Sequence, residues 1–360
     1  MSNILIFEDD PKERHALDEL VRKRCGNVVL TFDEQCSLKK DVSYETHIGK
    51  WIDTQCKKKQ IGLIVCDKEL GRYAQLRGLS ATPIAAVALQ RGIPFCQYSR
   101  QPSGKEMAQF KRLMQWSSEQ ITLDGLEAAD WAPQIECLYN GFERLHCEYK
   151  KVKKTKGTTP AGALAQILGH SESESRVALY GAGDQGFLRE IMTYYDPDRT
   201  DMPALYARMP RVLGNWLFLS ILRFPGILVN HTAAASYLNI ACRDFDSPKV
   251  CALFKKAKYS GPFHNHSLGP WWWRSELDTF VHGAGFKDGL EYIKSRGYRK
   301  AKECRDAQTR ERAGYYCMLM REPVSLENSR GNISWFPSGA DLARIRKDKF
   351  ESITALIGMY

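Results

Sequence analysis

Ile61-Gly62-Leu63-Ile64-Val65-Cys66-Asp67 decides the fold. A continuous apolar run, closed by an acid and followed by Lys68-Glu69-Leu70-Gly71, reads as a buried parallel strand entering a loop. In open α/β sheets, ligands and chemistry gather at the carboxyl ends of the strands. Asp67 therefore stands at a reactive position, provided the rest of the chain supplies it with partners.

Working outward, Asn3-Ile4-Leu5-Ile6-Phe7 is a short apolar strand that ends in Glu8-Asp9-Asp10. Pro11 opens a helix to about Lys23, and residues 27–32 form a second strand. A helix follows around His47–Cys56, and another over Thr82–Arg91 comes after the Ile61–Cys66 strand. Gly92–Ser99 is the fourth strand, Lys105–Gln115 a helix, Gln120–Leu123 the fifth strand and Ala132–Lys150 a closing helix. Strands and helices alternating in this way predict a doubly wound, parallel, five-stranded α/β sheet over residues 1–150.

In such a sheet the first and third strands lie side by side, which brings Glu8 and Asp9 to Asp67. Three clustered carboxylates repel unless a cation sits among them. Hard oxygen ligands make Mg²⁺ the natural choice. Ser99, at the end of the fourth strand, can offer a hydroxyl to the same place.

The stretches ILIFEDDPKER, LIVCDKELG and IPFCQYS, in that order, resemble the receiver domain of two-component response regulators over about residues 3–145. The resemblance implies that Glu8 and Asp9 bind the metal with Asp67, that Asp67 accepts a phosphoryl group, and that Ser99 is the switch hydroxyl. It also implies a histidine kinase or another phosphodonor as partner. Two departures stand out. The segment between the first and third strands is long, with residues 38–60 as the excess. The lysine that the family carries at the end of the fifth strand is replaced by Leu123, which weakens coupling between phosphorylation and conformational change. Two uses of the domain follow: a working receiver with altered switching, or a degenerate one serving as an interaction adaptor or phosphate sink.

Charge divides the chain. Residues 1–150 hold 21 Lys+Arg against 21 Asp+Glu, so the whole net charge of +10 lies in residues 151–360. Nucleic acid is the first partner class this suggests. No apolar run reaches membrane-spanning length. The chain opens straight into a strand pattern without a leader, and its 11 cysteines are scattered, with no CxxC. These features predict a cytoplasmic protein with reduced thiols and no membrane partner.

The basic, polar stretch 151–160 reads as a linker into a mostly helical α+β domain over 161–360. The run Arg176–Gly186, which includes GAGDQG, imitates a nucleotide loop but fits a turn between helices better, because no βαβ unit follows. Pro210–Arg223 is a core helix. A short Ala-rich helix at 231–240, then a lysine-rich helix to Tyr259 and a strand at Phe263, have the order of a winged helix-turn-helix. Lys249, Lys255, Lys256 and Lys258 would then face DNA. Trp271-Trp272-Trp273 should expose at least one ring, as an interface for a protein partner or a second copy. Tyr315–Met320 is a strand, with residues 332–336 as its hairpin partner. The output is thus DNA binding, an adaptor surface, or an enzyme whose site lies near His264, His266 and Arg274.

Overall fold

The computed structural model describes residues 2–26, 29–31, 43–58, 60–71, 80–100, 120–152, 158–181, 203–267 and 269–357. They form two compact units. The first draws on residues 2–100, 120–169 and 203–215, the second on residues 170–181 and 216–357.

The first unit runs β1 (Asn3–Phe7), α1 (Pro11–Cys25), β2 (Val29–Thr31), α2 (Tyr44–Lys58), β3 (Ile61–Asp67), α3 (Ala81–Gln90), β4 (Phe95–Tyr98), β5 (Ile121–Thr122) and α4 (Ala128–Tyr149). The strands lie in the order β2-β1-β3-β4-β5, and every pair is parallel. The chain order switches direction between β1 and β3, where such sheets leave a crevice at their carboxyl edge. Both strands are unbroken apolar runs because helices cover both faces. Leu5, Phe7, Ile64 and Cys66 join Ile48, Ile52, Ile84 and Ala88 in one buried cluster. Their alternates Ile4, Ile6, Leu63 and Val65 are equally buried and face the opposite layer, where α1 packs on α4.

Helix α1 begins where sequence chemistry places it. The Asp10 carboxylate accepts from the Lys12 backbone N at 2.9 Å, and Pro11 takes the first helical position. Helix α5 (Pro160–Ile167), capped by the Thr159 hydroxyl, also belongs to this unit, which therefore continues beyond residues 151–160. The helix expected over 105–115 lies outside the described residues.

In the second unit, α6 (Glu174–Ala178) is followed by a turn, so residues 176–181 are not a strand entering a phosphate loop. Tyr180 instead plugs the turn at 224–227: its hydroxyl donates to Phe224 O at 2.9 Å and accepts from Ile227 N at 3.1 Å. Helix α7 (Pro203–Trp216), whose residues 203–215 belong to the first unit, is followed by a π-helical segment of the second, Leu217–Ile221. Then come β6 (Leu228–Asn230), α8 (His231–Tyr237), α9 (Cys242–Phe245), α10 (Pro248–Leu253), β7 (Trp271–Trp273), α11 (Arg274–Val281), α12 (Gly289–Ser295), β8 (Tyr315–Cys317), β9 (Glu322–Val324), β10 (Ser329–Arg330), β11 (Ala343–Arg346) and α13 (Lys347–Ile357). Strands β6 and β7 pair antiparallel, and the other four lie in the order β10-β11-β8-β9.

Three expectations change here. The lysine-rich helix ends at Leu253 and gives way to a 3₁₀ turn at Lys255–Ala257. The cause is Phe254, fully buried and packed against Phe245 and Tyr292, which turns the chain inward. Phe263 then sits in a turn at φ 62° rather than in a wing strand. Strand β8 pairs with β9 and β11, not with residues 332–336: Pro323, which looks like a strand terminator, lies on a sheet edge where its missing N–H costs nothing. Finally, all three tryptophans are buried, at 1, 2 and 5 % exposure. A strand sends alternate side chains to opposite faces, and both faces of β7 are covered. Trp271 donates its indole N–H to Leu222 O at 2.9 Å, Trp272 packs on His231 and Phe245, and Trp273 lies 3.8 Å from the His170 ring.

Candidate functional site

The carboxyl ends of β1 and β3 converge on three acids. Register pairs Phe7 with Cys66, so Glu8 and Asp9 leave β1 beside Asp67. Their ligand oxygens all lie within 4.8 Å of one another, and all three residues are buried. Among the described residues, this is the group of His, Cys, Asp and Glu side chains close enough to share a metal ion.

Burial of so much negative charge demands partners. Glu8 Oε1 accepts from the Asp10 backbone N at 2.8 Å, and Glu8 Oε2 accepts from the Tyr98 hydroxyl at 2.7 Å. The Arg100 guanidinium sits over the cluster, 2.7 Å from Glu8 Oε2, 3.5 Å from Asp10 Oδ2 and 3.8 Å from Asp67 Oδ2. Asp67 Oδ1 accepts from Glu69 N at 3.3 Å. Burial, and then the neighbouring charge of Glu8, push the Asp67 carboxyl up to about 6, against the opposing pull of the Glu69 N–H and Arg100. Burial and Glu8 likewise hold the Tyr98 phenol well above its usual value.

An acid held up by burial and then by a neighbouring carboxylate is one that gains from a cation placed among them. Three close carboxylate oxygens suit a hard divalent ion. The residues present therefore fit a metal.

Ser99 follows Tyr98, which pairs with Asp67 across β3 and β4, so the expected switch hydroxyl stands half-buried at the same sheet edge. Leu123 is buried just past β5, its backbone N donating to Gln97 O at 2.8 Å. An apolar side chain thus stands where the resemblance places a lysine. Two members of the site escaped the sequence reading. Tyr98 looks like one more apolar residue of β4, and Arg100 lies just past the strand, where only the path of the loop decides its reach. The available signal was their place on either side of Ser99.

In the second unit, Lys249 is exposed on α10, Lys255 and Lys256 on the 3₁₀ turn, and Lys258 where the backbone bridges to Trp272. His264 is exposed, His266 packs between Phe218 and Trp271, and Arg274 pairs with Asp341 at 2.6 Å and covers the Tyr237 ring. Each has its own partners, and they form no shared constellation among the described residues. No helix there is long and apolar enough to cross a membrane.

No protein-family model, curated protein or solved structure matches the chain.

Proposed function

We propose that the first unit is a receiver-like phosphoryl acceptor that controls the basic second unit. One observation carries the reading: Glu8, Asp9 and Asp67 meet within 4.8 Å at the carboxyl edge of adjoining parallel strands. In the transfer, an Asp67 oxygen attacks the phosphorus of a kinase phosphohistidine or a small acyl phosphate. The bond from phosphorus to the leaving nitrogen or oxygen breaks, and its electron pair departs with the imidazole or carboxylate. Mg²⁺ on the three acids would supply positive charge against the phosphoryl oxygens. Ser99 is the hydroxyl at hand to meet the new phosphoryl group and pass the change to the β4 end. Duplex DNA is the output partner we favour, because the excess positive charge lies wholly in residues 151–360 and four lysines are exposed between 249 and 258.

Leu123 and the Arg100 ion pairs favour a second reading, in which the domain is a degenerate receiver that docks a protein partner or a second copy. Incubation with acetyl phosphate and Mg²⁺, followed by intact mass measurement, separates the two. A phosphate-sized gain that Asp67→Asn abolishes is the expected result. A protein that gains no phosphate under saturating donor leaves the adaptor reading.

A further inference from the structure

The acidic site already contains a cation of its own. Arg100 contacts Glu8 at 2.7 Å, lies 3.8 Å from Asp67, and keeps about a third of its side chain exposed. Two requirements of a phosphoryl site meet at this residue. A divalent ion shared by Glu8, Asp9 and Asp67 needs the same carboxylate charge that the guanidinium now neutralises. A phosphorylated Asp67 needs a cation for its phosphoryl oxygens, and Leu123 cannot provide one. Arginine suits the second task because its planar fork pairs with phosphate oxygens two at a time. Its long, partly solvated stem lets it swing without disturbing a core.

We propose that Arg100 is an exchangeable counter-cation. It holds the acidic cluster when no metal is bound, yields Glu8 to a divalent ion, and then pairs with the phosphoryl group on Asp67 in place of the absent lysine. The inference rests on the phosphoryl-acceptor reading and adds to it a competition between a side chain and a metal ion. Glu8 is the pivot, since Arg100 and Tyr98 both contact its Oε2.

Calorimetric titration of the full-length protein with MgCl₂ tests the competition without any phosphodonor. Arg100→Gln should bind Mg²⁺ about fivefold more tightly than the parent, the ratio one partly exposed charge pair carries. Arg100→Lys, which keeps the charge, should stay near the parent. With acetyl phosphate added, Arg100→Gln should lose its phosphoryl group several-fold faster despite its tighter metal, whereas Arg100→Lys should retain it. Equal Mg²⁺ affinity in the parent and Arg100→Gln, with phosphorylation intact in both, overturns the role of Arg100 and leaves the acceptor reading standing. Absence of Mg²⁺ binding and of phosphorylation in all three proteins overturns both together.

Discussion

Asp67 illustrates how a single carboxylate ties stability to chemistry. Its folded value of about 6 lies above that of an ordinary aspartate, so ionising it costs the folded state free energy at neutral pH. The cost is absent below pH 4, where the group is protonated whether the chain is folded or not, and is complete above pH 6. It amounts to about 3 kcal/mol at most. In a chelating buffer, Asp67→Asn should therefore raise resistance to urea at pH 8 and lose that advantage by pH 4. An equal gain at both pH values would show that the charge is not the cause. The three acids were legible from sequence because each ends an apolar run, and a strand's end fixes its residue's place at the sheet edge. Arg100 was not legible in the same way. No periodicity records that a loop carries a guanidinium back over the strand next door.

At the scale of elements, long apolar or strongly alternating segments were readable and their interruptions were not. Strands β1 and β3 and helices α1 and α3 fall within a few residues of where the pattern places them. The lysine-rich helix failed because Phe254, which closes the apolar run 250–254 ahead of Lys255 and Lys256, is drawn into a cluster built from distant segments. Strand β7 shows the same effect at larger size. Three adjacent tryptophans looked like an exposed surface only because a single sequence does not reveal that both faces of a two-stranded ribbon are packed. Trp272→Ala should accordingly lower unfolding free energy by roughly 3–5 kcal/mol in denaturant titration, the range for truncating a buried aromatic ring. A loss below about 0.5 kcal/mol, typical of surface positions, would return this tryptophan to the surface.

For the whole molecule, the asymmetry of charge is the property most plainly written in the sequence, and it makes a quantitative demand on the DNA-binding reading. Lysines that pair with phosphate displace counterions, so affinity falls with salt, and removing one such lysine lowers the logarithmic salt slope by about one. Arg or Lys side chains used for base recognition behave differently, because their removal relaxes sequence preference. Reversing Lys255 and Lys256 to glutamate should weaken binding to all duplexes alike and reduce the slope by about two, as read from binding titrations at several salt concentrations. An unchanged slope would assign the basic half to another partner. Which surface the rest of the positive charge occupies was not legible, because the helix that would have gathered it is broken at Leu253.

The division of the chain has a practical meaning for anyone wishing to handle these units separately. The first unit takes up the helix Pro160–Ile167 and residues 203–215, while residues 170–181 between them belong to the second. The polypeptide is thus interleaved, and neither unit is a single stretch of gene. A stop codon after residue 155 would remove α5 and residues 203–215 from the first unit, leaving the apolar surface they cover open to water and to other chains. The two units cannot be cleanly separated by one cut in this chain, and a side-chain substitution in the intact protein is the sharper scalpel.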